Sequence, residues 1–252
     1  MESGQPPQFI WTKVEKDGRA IYSRLVKGKK LELWVQDGKL MHTHGFEKYV
    51  HDFLRMDDDL VEICERISTD KKIKNAIGRC SGLRLTKSEP WETLVCFVCS
   101  INNNIPRIRK MVQSLMKDGE VMTPREMLAT DLSTLKLGYR QKYLEGCAKL
   151  ASEGKLAKIG EIHEYEKAKE ALMEFPGVGP KVADCVLLFG FGFTEAFPVD
   201  VWMMRAMKGY GAKNEKHARE LAKKWGKHAG YAQQYLFHST RTKNDDHLAM
   251  VG

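Results

Sequence analysis

Apolar and polar residues alternate in short runs through the first ~45 positions, and the alternation then stops. Residues 9–14, 20–26, 31–35 and 39–43 each read as a strand, because alternation sends successive side chains to opposite faces. Asp17-Gly18, Gly28 with two following lysines, and Asp37-Gly38 separate these runs. Such turns join antiparallel neighbours, so an antiparallel meander is expected.

From about Phe46 onward the apolar spacing becomes helical. Asp57-Asp58-Asp59 stand before Leu60, an acid-rich helix start. Residues 91–99 are apolar enough to predict a buried helix. Residues 106–116 carry Ile108, Val112 and Leu115 along one side. Thr123-Pro124 predicts a capped start with proline in the first turn. Further helices are expected over 139–151, 165–175, 181–189, 201–207 and 216–228. The fold class is mainly α: a helical body, residues 57–252, after a small antiparallel β-rich N-terminal domain, residues 1–56.

Composition narrows the class of function. Hydrophobic residues make up 42% of the 252 and charged residues 29%, which suits a packed core and excludes a disordered chain. No apolar run is long enough to span a bilayer, and the polar N-terminus lacks a secretory pattern, so a cytoplasmic monomer without a membrane partner is expected. A net charge of +8 favours a polyanionic partner. The six cysteines are scattered. Cys96 and Cys99 have C-x-x-C spacing but lie in the apolar run, and no second pair follows. Buried thiols are expected, with no metal and no cofactor.

The chemistry concentrates in residues 175–185. Pro176-Gly177 and Gly179 predict a tight turn between two helices, with a new helix starting near Pro180 or Lys181. Bare glycine amides at a helix start suit a phosphate. Lys181 lies in the first turn, where the helix dipole opposes an ammonium and favours the neutral, nucleophilic amine. From these residues alone, a nucleophile and a plain phosphate contact are equal readings. Cys185 lies one turn on, on the same face. Asp200, after Pro198-Val199, predicts a helix N-cap that could also face Lys181.

Residues 175–205 resemble the hairpin and following loop of the helix-hairpin-helix DNA glycosylases, and most closely the 8-oxoguanine DNA glycosylases. The family pattern Pro-Gly-Val-Gly-x-Lys-Val-Ala-Asp-Cys matches Pro176 to Cys185, and Pro-Val-Asp-Val matches Pro198 to Val201. Three further blocks agree in order: 99–108, 137–140 and 232–237. The resemblance implies a bifunctional glycosylase/AP lyase acting on double-stranded DNA that contains 8-oxoguanine. It implies Lys181 as nucleophile, Asp200 as the sugar-stabilising acid, Cys185 and Phe237 as the walls around a flipped base, and Gln233 as its reader. It also implies Asn102, Arg107 and Arg140 as contacts to the orphaned cytosine, Tyr139 as the wedge, and Gly177 and Gly179 on the DNA backbone. Two positions depart from the family. Its base-reading glycine falls near Pro6 or Pro7, and its histidine two residues after the aspartate is Trp202. The rival readings are a same-fold glycosylase for another damaged base and a non-catalytic DNA-binding module.

Overall fold

The computed structural model describes residues 3–249, with side chains through residue 242. Phe9, Ile10 and Trp11 are consecutive and all buried. A strand sends neighbours to opposite faces, so this triplet does not fit the expected strand over 9–14. It belongs instead to the short helix α1 (Pro7–Ile10) and the residue after it. Proline is tolerated there because a first-turn N–H has no helical partner.

Strand β1 (Thr12–Lys16) follows, then β2 (Arg19–Val26), β3 (Lys29–Gln36) and β4 (Lys39–His42). They pair antiparallel in the order β1-β2-β3-β4, with Val14 opposite Ile21, Arg24 opposite Leu31 and Val35 opposite Leu40. Each turn has positive φ at both central residues, as at Asp17 (50°) and Gly18 (72°), the primed geometry that follows strand twist. The meander read from alternation is therefore present. Its inner face carries buried Leu31 and Leu33, which join one core with the helices. Arg24 is buried in the sheet and grips Glu92 through Nη1 (3.0 Å) and Nη2 (2.6 Å). This two-pronged ion pair ties the sheet to the helical body.

The helices are α2 (Glu47–Phe53), α3 (Leu60–Ile67), α4 (Lys71–Arg79), α5 (Pro90–Cys99) and α6 (Ile105–Ser114). After a small ribbon, β5 (Met116–Lys117) and β6 (Glu120–Val121), come α7 (Pro124–Ala129), α8 (Arg140–Ser152), α9 (Lys155–Ile159) and α10 (Tyr165–Met173). The last are α11 (Pro180–Val186), α12 (Val201–Lys208), α13 (Glu215–Ala222) and α14 (Ala229–Ala249). Asp59 caps α3 by accepting from the Val61 and Glu62 amides, and Thr123 with Glu126 closes a capping box on α7. Helix α5 is buried from Glu92 to Cys99 and packs against α6, α8 and α11.

Three further expectations are corrected. Helix α11 continues as a π-turn over Leu187–Phe191, which ends at Gly192. The helix expected over 216–228 stops at Ala222. A 3-10 segment, Lys223–His228, follows, and non-helical Gly226 (φ 53°, ψ −134°) interrupts it. Helices α4 and α14 were not anticipated. Helix α4 buries only Ile73 and Ala76, too thin a stripe to read. Helix α14 buries Gln233 and Gln234 beside Tyr231, Ala232, Tyr235 and Leu236, so its burial does not follow apolarity. Among the described residues no helix is long and apolar enough to cross a membrane, and no cluster of three or more His, Cys, Asp or Glu could hold a metal ion.

Candidate active site

Helix α10 leads into the turn through buried Phe175 and Val178, and α11 leaves it at Pro180. The two glycines between them differ. Gly177 has φ +76°, and a Cβ there would lie 2.5 Å from Cδ2 of Tyr143, whose ring lies flush against the turn. Gly179 has extended backbone, caps α11, and would present a Cβ to open space. Gly177 is required by packing, whereas Gly179 leaves backbone open for a ligand to approach. Gly177→Ala is expected to cost about 1–3 kcal/mol in urea unfolding, through left-handed strain and the tyrosine clash. Gly179→Ala is expected to stay within about 1 kcal/mol of the unaltered protein.

Lys181 is half-buried in the first turn of α11. Its Nζ donates to Ser100 Oγ at 3.3 Å and lies 4.9 Å from the Phe97 ring centre, both from the end of α5. Asp200 caps α12, as its position predicts, with Oδ1 accepting from the Met203 amide at 2.8 Å. Lys181 and Asp200 line one cavity of about 160 Å³, together with Cys185, Gln233 and Phe237. The amine and the carboxylate named from separate stretches of sequence therefore face the same space.

The Cys185 thiol is pushed up to about 12, chiefly by burial. Lys181 draws it down, and Asp184 and Asp200 push it further up. At neutral pH it is a protonated, weakly polar wall rather than a nucleophile. In a timed iodoacetamide reaction at pH 7.5 read by mass spectrometry, the partly exposed Cys64 and Cys80 are expected to label first. Buried Cys96, Cys99, Cys147 and Cys185 are expected to label only on unfolding.

Gln233 donates through Nε2 to the Pro198 carbonyl at 3.3 Å. Its Oε1 is closed off from solvent and finds no partner among the described residues. A buried acceptor left unmatched is costly unless a ligand completes it. Phe237 forms another wall.

The residue beside Phe237 corrects the expected position of the glycine. Buried Pro6 and Pro7 belong to α1 and its cap, and the cavity is lined by Gly4 instead. Gly4 has φ +83°, and a Cβ there would lie 2.7 Å from the Phe237 ring. The segment is pinned by Gln5, whose side chain accepts from the Thr86 amide (2.7 Å) and donates to the Arg84 carbonyl (3.0 Å). The resemblance put this glycine near Pro6 or Pro7 and missed Gly4, although Gly4 is the nearest preceding glycine.

Asn102, Arg107, Tyr139 and Arg140 do not line the cavity. Arg140 is 3% exposed, so it is not a solvated surface charge. Its Nε donates to the Ile101 carbonyl at 2.9 Å and its Nη2 to the Asn102 carbonyl at 3.0 Å. These bonds hold the 101–104 loop, with Asn102 exposed at φ +44°. Tyr139 is 49% exposed, under the Arg140 guanidinium at 4.5 Å. Arg107 is exposed on α6, its amide taken by the Asn104 cap. Trp202 lines the cavity, and Arg205 stacks on it at 4.6 Å. Phe97 and Arg241 also line the cavity and had no motif to announce them, and Ser100 lines it from within the 99–108 block without having been singled out.

The chain is similar to known proteins in sequence and in fold. The family described as 8-oxoguanine DNA glycosylase, N-terminal domain, matches residues 1–94. The N-glycosylase/DNA lyase of Saccharomyces cerevisiae is 31% identical over 81% of this chain and 69% of its own length. The structure of MBOgg1 in complex with a low affinity DNA ligand superposes with TM-score 0.86 at 32% identity, over 96% of this chain and 91% of that one. The Clostridium acetobutylicum 8-oxoguanine glycosylase/lyase, in complex with double-stranded DNA containing cytosine opposite 8-oxoG, gives 0.85 at 26% identity, over 97% and 92%. With the lysine and the capping aspartate brought to one cavity, the chain belongs to the N-glycosylase/DNA lyase family of the 8-oxoguanine DNA glycosylases.

Proposed function

We propose that this protein is a bifunctional DNA glycosylase and AP lyase that excises 8-oxoguanine from duplex DNA. The observation that carries this reading is the shared cavity, where the Lys181 amine and the Asp200 carboxylate meet two non-ionised walls and the unmatched Gln233 acceptor. A non-catalytic binding module needs neither the lysine nor the acid.

The damaged nucleotide leaves the stack, and its base enters between Cys185 and Phe237. Gln233 Oε1 accepts from an N–H on the base edge, and the backbone at Gly4 supplies the glycine contact of the family. The Lys181 amine attacks C1′ while the Asp200 carboxylate stabilises positive charge on the sugar. The C1′–N9 bond breaks and its electrons leave with the base. The sugar ring opens to a Schiff base on Lys181, and loss of a C2′ proton then expels the 3′ phosphate. Backbone amides from Gly177 to Lys181 hold the DNA backbone. Tyr139 wedges into the stack at the rim, beside Asn102, Arg107 and Arg140 at the orphaned cytosine.

Borohydride trapping tests the reading. A covalent adduct is expected on a duplex with 8-oxoguanine opposite cytosine, and weaker or none on a duplex with undamaged guanine. Trapping solely on a different lesion would assign the site to another base. No adduct on any lesion would leave a DNA-binding module.

A further inference from the structure

Besides the Gln233 acceptor, the cavity holds one more buried polar atom that is unmatched among the described residues. Arg241, on α14 one turn beyond Phe237, lines the cavity. Its Nη1 is closed off from solvent and has no hydrogen-bond partner among the described residues. This nitrogen sits beside the glycine contact, since a Cβ on Gly4 would lie 3.4 Å from it. No described carboxylate lies within ion-pair reach. Asp200 shares the cavity but spends Oδ1 on its own helix. A guanidinium N–H sequestered without an acceptor is unfavourable unless a ligand supplies one. The cavity thus presents an acceptor and a cationic donor, both without partners among the described residues.

Resting on the excision reading above, we infer that Arg241 is a specificity-determining residue whose Nη1 donates to a carbonyl oxygen of the flipped base. Acceptor plus donor complement an –NH–C(=O)– edge, which oxidised guanine offers and adenine does not. The charge adds a second criterion. When the Lys181 nitrogen bonds to C1′ and the C1′–N9 bond breaks, the electron pair passes to the base. An oxidised guanine then carries negative charge on N9 and its carbonyl oxygens until it takes up the proton released by the lysine nitrogen. A half-buried guanidinium with Nη1 turned from solvent favours that departing anion. The same charge disfavours an N-alkylated purine, which enters the pocket as a cation and leaves neutral.

The test compares base release from an 8-oxoguanine duplex in single turnover with borohydride trapping on a duplex bearing a ready-made abasic site. The abasic duplex has no base for Arg241 to touch. Arg241→Gln is expected to lower base release at least tenfold more than it lowers abasic trapping. Arg241→Lys, which keeps the charge, is expected to recover part of the loss. Release of 7-methylguanine relative to 8-oxoguanine is expected to rise in Arg241→Gln. Equal falls on both duplexes would make Arg241 structural and overturn the inference, as would an unchanged rate on the lesion. Unaltered enzyme that traps on neither duplex removes the excision reading and this inference together, a result distinct from the other two.

Discussion

Lys181→Gln is expected to give no trapped adduct on an 8-oxoguanine duplex and to slow base release by about three orders of magnitude or more, roughly 4 kcal/mol of barrier. Glutamine keeps a polar tip, one bond shorter than that of lysine, but has no nucleophilic lone pair. Asp200 gives a sharper partner experiment, because the carboxylate has two duties that substitution can separate. As N-cap it accepts from the Met203 amide. Asparagine caps about as well as aspartate, so Asp200→Asn is expected to melt near the unaltered protein while losing about a hundredfold or more in excision. Asp200→Ala is expected to lose the same activity and about 1 kcal/mol of stability as well. Full excision by Asp200→Asn would reduce this carboxylate to a cap. Normal adduct formation by Lys181→Gln would move the nucleophile elsewhere.

The largest effect on stability is expected at Asp184, which is fully buried on α11 between Lys181 and Cys185. Tyr165 donates its hydroxyl to Oδ1 at 2.6 Å, Lys169 Nζ lies 2.7 Å from the same oxygen, and Arg219 Nε lies 2.9 Å from Oδ2. One carboxylate thereby pins α11, which carries Lys181, to α10 and α13. Removing it strands Lys169 and leaves Arg219 only Glu215 at 3.8 Å, and the two cations are themselves only 12% and 19% exposed. Breaking such a buried cluster costs about 3–5 kcal/mol, so Asp184→Ala is expected to shift urea unfolding by that amount. At roughly 2–4 °C per kcal/mol for a chain of this size, the melting temperature falls by about 6–20 °C. A change below about 1 kcal/mol would show that packing alone positions α11.

The segment that carries Lys181 and Asp200 was legible because backbone demands and candidate chemistry share the same letters there. Gly177 must adopt positive φ against Tyr143, Pro180 opens a helix, and Asp200 caps one, so turn and cap signals lead to the lysine and the acid. The rim was legible only as a resemblance. Nothing local distinguishes a solvated arginine from Arg140, which is buried because two loop carbonyls 38 and 39 residues away turn toward it. The far wall of the cavity was less legible still. Gly4 and Arg241 come from the two ends of the chain, and the Ser3 carbonyl is bound by Gln234, 231 residues distant.

By itself, the amino-acid order determined the meander, most of the helices, the hairpin that presents Lys181, and the cap that Asp200 forms. Each of these follows from φ preferences, capping and periodicity, which act over a few neighbours. Tertiary structure alone decided that the lysine and the aspartate open onto one cavity, that Gly4 rather than Pro6 or Pro7 lines it, and that Arg140 is interior. Those outcomes depend on which distant surfaces bury one another, and burial is a property of the packed whole rather than of any short run of residues.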